Sequence, residues 1–372
     1  MTRLFEPMRI GKCNLEHLIV MAPMTRLRAD DEHVPTDIMT DYYSQRASVP
    51  GTLIITESNF ISARSQGRHD NAPGIYTRQH IEHWARICDA VHRQGSYIFA
   101  QLWHVGRAGR PETLAKAGLE MVSSSDLPIS EQHGIPRPMT EEEILTCIRD
   151  FGQAARNAVA AGFDGVEIHA ANGYLIDQFT QDVCNRRTDR WGGSIENRSR
   201  FCLEVATAVC EAIGPERTGL RLSPFSDFQG MRMKDPKPQF THLISHLAEL
   251  NLAYLHLIEP RVSGNVDRDP RPHQAESLEF ARLAWRRVNP LILAGGFTPA
   301  TARKAVDGEY KDEDVAIAFG RHFISNPDLP FRIRHDVALA PYNRDTFYKV
   351  KSPDGYIDYP FCESYTKSTG KC

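Results

Sequence analysis

The sequence predicts an α/β protein folded as a single (β/α)8, or TIM, barrel. Eight short apolar runs rich in β-forming residues alternate with helix-like segments along the chain. The runs are apolar nearly throughout, which is how a strand buried on both faces reads, and parallel strands with helices packed outside bury both faces. Eight alternating units of this kind favour a closed barrel over an open, doubly wound sheet. The length of 372 residues exceeds one average domain, yet such barrels routinely pass that size as one unit, so one domain over 1–372 is expected.

The first segment, 5–15, is broken by Pro7 and Gly11 and is expected to form a hairpin that seals the barrel end opposite the site. Strands are expected at 18–24, 52–57, 97–102, 165–169, 218–223, 253–258, 291–294 and 315–319. Helices are expected at 37–47, 78–94, 140–161, 196–213, 238–250, 276–288, 299–307 and 328–336. The third helix opens with Thr140 and, three residues on, Glu143, the spacing of a capping box. Two connections, 103–139 after the third strand and 170–195 after the fourth, are too long for simple turns and are expected to act as lids or substrate walls. Pro353-Asp354-Gly355-Tyr356 reads as a turn in a C-terminal tail, about 350–372, lying over the barrel.

Composition narrows the class. Hydrophobic residues make up 41% and charged residues 24%, enough apolar surface for a large core, so disorder is not the default. The net charge of −3 gives no general attraction to phosphate backbones or anionic membranes, which argues against nucleic-acid and membrane partners. No apolar run approaches the roughly 20 residues of a membrane helix, and Met1-Thr2-Arg3-Leu4-Phe5-Glu6-Pro7 lacks a secretory stretch, so a cytoplasmic protein is expected. The eight cysteines are scattered, without C-x-x-C or nearby histidines, which argues against a metal site. Cys88, Cys147, Cys202 and Cys210 fall in helical patterns where a small buried thiol is the plain reading.

Polar or charged residues mark the strand ends: Thr25 and Arg26, Glu57, Gln101 and His104, His169 and Asn172, Arg221 and Ser223, His256 and Glu259. In a barrel those ends converge. Any one of them could serve as an ordinary cap or turn residue, but together they point to a site on that face. The last two strands run into Gly295-Gly296 and Gly320-Arg321. Glycines let backbone amides approach an anion, and the loops after the seventh and eighth strands are the usual phosphate site of this barrel. A phosphate-bearing cofactor is therefore expected, with tight turns as the alternative. No G-x-G-x-x-G follows the first strand, so a Rossmann site is not indicated.

In the fourth unit, His169 and Asn172 stand three apart where strand turns to loop, and Tyr174 follows. His169 and Asn172 can donate to one oxygen while Tyr174 presents its hydroxyl, an oxygen clamp with an acid. On spacing alone, turn-ligand roles for His169 and Asn172 and an aromatic-wall role for Tyr174 stay open. Arg221 in a barrel mouth is costly unless it meets an anion or an electron-rich cofactor edge; a salt-bridged arginine is the ordinary reading.

Longer segments carry a resemblance. Ala22-Pro23-Met24-Thr25-Arg26, Gln101-Leu102-Trp103-His104-Val105-Gly106-Arg107, Gly165 through Phe179, Asp189-Arg190-Trp191-Gly192-Gly193-Ser194, Arg221-Leu222-Ser223-Pro224, Gly320-Arg321 with Asn326-Pro327-Asp328-Leu329, and Gly355-Tyr356-Ile357-Asp358-Tyr359-Pro360 resemble the old yellow enzyme family, in order and over nearly the whole chain. The resemblance implies tightly bound, non-covalent FMN, NADPH or NADH as reductant, and reduction of alkenes conjugated to a carbonyl or nitro group. It implies that Thr25 bonds the flavin O4 edge, that Gln101 and Arg221 hold the pyrimidine edge with Arg221 at N1, and that Gly295, Gly296 and Arg321 hold the phosphate. Pro23, Met24, Phe319 and Gly320 complete the cofactor set. His169 and Asn172 would bond the substrate oxygen, Tyr174 would supply the proton, and Trp103, Phe228 and Tyr348 would line the pocket, where phenols would bind as inhibitors. Thr25, and the pairing of His169 with Asn172, are similar to the yeast, plant and enterobacterial branch, and the assembly expected is a monomer or homodimer.

Ser58 departs from the pattern. The resemblance implies that it would stand beside the flavin where glycine or alanine is expected, and its hydroxyl is expected to alter a hydrogen bond there. Two other functions stay in view: a pathway-specific member similar to ergot-alkaloid aldehyde reductases or isomerases or to oxophytodienoate reductases, and a flavin-binding barrel without turnover.

Overall fold

The computed structural model describes residues 2–264, 266–267 and 276–370. Eight parallel strands close into a barrel: β1 (Ile19–Met21), β2 (Leu53–Phe60), β3 (Tyr97–Trp103), β4 (Gly165–His169), β5 (Thr218–Leu222), β6 (Tyr254–Ile258), β7 (Leu291–Ala294) and β8 (Val315–Phe319). Each pairs with the next, and β8 returns to β1 with Phe319 opposite Met21. Every expected run overlaps one strand. β1 stops early because Pro23 has no N–H to give the ladder. β2 runs on past its expected end through a register shift between Ile55 and Ser58, which sets Ser58 opposite Gln101 of β3. Such a bulge re-aims the side chains that follow it.

The ring of helices comprises α1 (Asp37–Arg46), α2 (Arg78–His92), α3 (Glu141–Ala160), α4 (Ile195–Ile213), α5 (Lys237–Glu249), α6 (Glu279–Trp285), α7 (Pro299–Lys304) and α8 (Leu329–Arg334). Their apolar faces bury Trp84, Phe151, Phe201, Phe240 and Trp285 in one continuous core with the strands. Removing one such aromatic typically costs about 3–5 kcal/mol. The α3 capping box forms as its spacing predicts: Glu143 N donates to Thr140 Oγ1 (3.2 Å) and Thr140 N to Glu143 Oε2 (2.7 Å). Among the described residues no helix is long and apolar enough to cross a membrane.

The N-terminal hairpin forms from Met8–Ile10 and Cys13–Leu15. Gly11, at φ +55°, lies so close to the Glu216 carbonyl that a Cβ would sit 2.0 Å from it. Glu216 precedes β5, so the hairpin covers the barrel end where the strands begin.

At the other end the two long connections are pinned together by Gln178, which is fully buried. It lies in a short helix, Leu175–Thr180. Its Oε1 accepts from Arg107 N (3.0 Å) and Ser123 Oγ (2.9 Å), and its Nε2 donates to Gly173 O (2.8 Å) and Val105 O (3.1 Å). Gly106 has no room for a side chain, because a Cβ there would stand 2.1 Å from Gln178 Oε1.

Three buried arginines hold the C-terminal tail. Arg26 donates to Phe347 O (3.1 Å) and Gly355 O (2.6 Å). Arg28 donates to the carbonyls of Thr346, Phe347, Ser352 and Asp354, and Arg46 to those of Ile324 and Tyr356. Tyr42 stacks flat on Tyr356 at 4.0 Å. The expected turn closes with Tyr356 N donating to Pro353 O (3.0 Å).

Candidate active site

A cavity of about 440 Å³ opens where the strands end. Pro23, Met24 and Thr25 after β1 form one side, and Arg221 and Asn172 another. Gly295, Gly296, Phe319, Gly320 and Arg321 line the end beyond β7 and β8, and Phe347 and Tyr348 of the tail form a further wall. Ser58, Gln101, Trp103, His169, Tyr174 and Phe228 lie outside this lining. They surround it at a second depth, each for a local reason.

Gln101 points into the barrel, where both ends of its amide are engaged. Its Oε1 accepts from Ser58 Oγ (2.5 Å) and its Nε2 donates to Glu167 Oε1 (2.7 Å). The hydrogen bond expected to change at Ser58 is therefore this one. The amide keeps one N–H and one lone pair for a further partner.

Glu167 lies fully buried in the middle of β4. Its Oε2 accepts from Tyr254 OH (3.1 Å) and His256 Nδ1 (2.8 Å). Burial acts to raise its pKa, yet His256, Arg221 and Gln101 outweigh burial and hold the carboxyl below its ordinary value. Burial also lowers the His256 pKa, so a neutral imidazole donates to a carboxylate, and Arg221 supplies the balancing charge. Arg221 Nε has no hydrogen-bond partner.

His169 sits opposite Arg221 in the β4–β5 register. Burial and then the charge of Arg221 push its pKa well below the usual imidazole value, so it is neutral and one ring nitrogen carries a proton. His169 Nδ1 and Asn172 Oδ1 are buried without partners. The chain can turn at Asn172 because asparagine tolerates a left-handed backbone, here φ +58°. Its N donates to Ser223 Oγ (2.8 Å), and the following Gly173 N donates to Asp177 Oδ2 (2.8 Å). The turn-ligand work thus falls on backbone amides, leaving both side chains for another partner.

Tyr174 is half-buried. Its ring meets Trp103 edge-on at 4.9 Å and His169 at 4.9 Å. Trp103 is 1% exposed and stacks on Phe60, so it backs Tyr174 instead of facing the cavity. Phe228 covers Gly264, where a Cβ would lie 2.6 Å from the ring, and so borders the cavity indirectly. Burial raises the Tyr174 pKa, while Arg68 and Gln229 lower it. At neutral pH the phenol keeps its proton and can give it up as an acid.

A flavin nucleotide fits these residues on three counts. Arg221 Nε lacks a partner, Thr25, which carries a hydroxyl, lines the cavity, and Gly296, Gly320 and Arg321 line the end suited to phosphate. The tight-turn reading also holds for Gly295, since a Cβ there would stand 2.7 Å from Glu259 and Val262 side-chain carbons.

Four further residues organise the site: Glu167 and Gln178, which lie in the segment Gly165 through Phe179 with no role assigned there, and Arg68 and Gln229, which lie outside every segment singled out in the sequence. Glu167 alone carried a signal, as a charged residue inside an otherwise apolar strand. Arg68 and Gln229 sit in loops and Gln178 in the short helix Leu175–Thr180, and their meeting cannot be read from spacing.

The sequence model of the NADH:flavin oxidoreductase / NADH oxidase family matches residues 3–340. The chanoclavine-I aldehyde reductase fgaOx3 of Penicillium roqueforti (strain FM164) is 56% identical over 369 residues, covering 99% of this chain and 99% of that protein. The probable inactive dehydrogenase easA of Claviceps purpurea (strain 20.1) is 50% identical over 367 residues, covering 98% and 96%. Among solved structures, the old yellow enzyme homologue from Zymomonas mobilis matches with a TM-score of 0.88 at 40% identity, over 96% of this chain and 99% of that one.

Proposed function

The chain belongs to the NADH:flavin oxidoreductase / NADH oxidase family, as an FMN flavoprotein of old yellow enzyme type, and from that premise we propose that it reduces the C=C bond of α,β-unsaturated carbonyl or nitro compounds. When bound, FMN would supply the hydride-transfer chemistry that links NADPH or NADH to the β-carbon of the alkene. Thr25, Gln101 and Arg221 would hold the flavin ring, with Arg221 countering negative charge at its pyrimidine edge. Gly296, Gly320 and Arg321 would hold the phosphate. His169 and Asn172 bind the substrate oxygen and stabilise the charge that grows there. Tyr174 gives its phenolic proton to the α-carbon.

The observation that carries this reading is the grouping at the end of β4. His169 Nδ1, buried without a partner, and Asn172, whose side-chain amide can donate from Nδ2 at the cavity wall, sit with a protonated phenol whose ring centroid is 4.9 Å from the imidazole. The purified protein is expected to be yellow, to bleach with NADPH, and to regain colour with 2-cyclohexenone. A colourless protein, or one reoxidised by oxygen alone, contradicts it.

A narrower reading within the same chemistry is a dedicated conjugated-aldehyde reductase, favoured by the 56% identity to a chanoclavine-I aldehyde reductase. Ranking conjugated aldehydes against cyclic enones and nitroalkenes by kcat/KM separates the two. The likeness to a probable inactive dehydrogenase raises a barrel without turnover; the presence of His169, Asn172 and Tyr174 together favours turnover.

A further inference from the structure

Four loops at the barrel mouth meet at one guanidinium. Arg68, in the loop after β2, donates from Nη1 to Ala108 O (2.9 Å) in the loop after β3 and to Gln229 Oε1 (2.9 Å) in the loop after β5. Its Cζ stands 5.7 Å from the centroid of the Tyr174 ring, in the loop after β4. Gln229 donates in turn to Asn172 O (2.5 Å) from a left-handed backbone at φ +60°. Arg68 is thus fixed from two sides against the ring of the proposed acid, and the same glutamine ties it to the oxygen clamp.

Charge makes this placement matter. The groups facing Tyr174 are Trp103 from the end of β3, neutral His169 from β4, Gln229, Tyr348 of the tail, and Arg68. Arg68 is the cation among them, and among the described residues no carboxylate forms an ion pair with it. The nearby Asp70 pairs instead with Lys116 at 3.2 Å.

We propose that Arg68 is a positioning residue for the acid step, its fixed guanidinium stabilising the phenolate that Tyr174 becomes when its proton leaves for the substrate α-carbon. This rests on Tyr174 being the proton donor. In the step, the Tyr174 O–H bond breaks and the proton joins the α-carbon through the electron pair of the substrate's enolate. The phenolic oxygen keeps its own pair, and water then returns a proton to it. Burial makes a phenolate costly at this position, and a cation about 6 Å away in a partly desolvated site offsets part of that cost.

Stopped-flow measurement of the two half-reactions of the holoenzyme tests the assignment. Arg68→Gln and, as a second neutral variant, Arg68→Met are expected to slow reoxidation by 2-cyclohexenone by roughly 10-fold to 100-fold. Both should leave reduction by NADPH within about twofold. Arg68→Lys is expected to restore most of the lost rate. The pH at which Tyr174 ionises, taken from the pH dependence of reoxidation, is expected to rise in the neutral variants and not in Arg68→Lys. In Tyr174→Phe, adding Arg68→Gln is expected to cost nothing more, because the phenolate it serves no longer forms.

Equal losses in the neutral and lysine variants, an unmoved pH profile, or a further loss on the Tyr174→Phe background overturns the role of Arg68. If Tyr174→Phe slows reoxidation while Arg68→Gln does not, the acid reading stands and the Arg68 proposal alone fails. If Tyr174→Phe reoxidises at the parent rate, the acid reading fails and the Arg68 proposal fails with it.

Discussion

Glu167 has no cation on its own strand, and burial alone would keep it protonated. Instead Gln101, Tyr254 and His256 donate to it while Arg221 balances its charge. The carboxylate thereby orients Gln101 and offsets the buried charge of Arg221, the two residues proposed to hold the flavin pyrimidine edge. Glu167→Gln leaves Arg221 buried without its counter-charge, so a loss of about 3–5 kcal/mol in unfolding free energy is expected, with weaker retention of FMN on dilution. Urea unfolding and flavin release by filtration measure both, and unchanged stability contradicts this account of the barrel floor. At this scale the proposed acid and clamp could be seen in the sequence only as candidates. Spacing put His169, Asn172 and Tyr174 near one another but could not say that the Asn172 turn is closed by backbone bonds to Ser223 and Asp177, which is what leaves the side chains unpaired.

Strand β2 shows what an element hides from its sequence. The run 52–57 ends on a charged residue and reads as finished, yet the bulge carries the strand through Ser58 to Phe60, because Asn59 and Ser65 satisfy polar groups locally and Phe60 stacks on Trp103. Within that bulge Glu57 is buried, accepting from Arg26 N (3.1 Å) and Tyr43 OH (3.4 Å). Burial raises its pKa to about 7, against the opposing pull of Arg26 and Arg28. A carboxyl whose folded pKa lies above its unfolded value contributes stability that is fully present below the unfolded pKa and lost as pH rises through the folded one. The parent protein is therefore expected to lose stability relative to Glu57→Gln between about pH 5 and about pH 8. Denaturant midpoints of the two proteins across that window measure it. A difference that does not vary with pH contradicts the buried, proton-holding state of Glu57.

For the whole molecule, the barrel was readable because each strand is buried on both faces and so leaves an apolar run, and the longer helices α2 and α3 leave an apolar period of their own. Its order, closure and N-terminal hairpin follow from those runs with only boundary shifts, such as the early end of β1 at Pro23. The path of the tail was not readable beyond its turn at 353–356, because arginine-to-carbonyl bonds hold it across more than 300 residues of chain. Carbonyls carry no residue identity, so no pattern in the tail announces Arg26, Arg28 and Arg46. The tail nonetheless brings Phe347 and Tyr348 to the cavity wall, and the two long loops pinned by Gln178 bring Tyr174 and Asn172 to the opposite side.

The division of labour between these walls is tested most directly by Tyr174→Phe in separate half-reactions. The variant is expected to accept hydride from NADPH at nearly the parent rate and to be reoxidised by 2-cyclohexenone about 100-fold or more slowly, the range a positioned general acid contributes. Equal losses in both half-reactions, or an unchanged reoxidation rate, would contradict the assignment of Tyr174 as the proton donor.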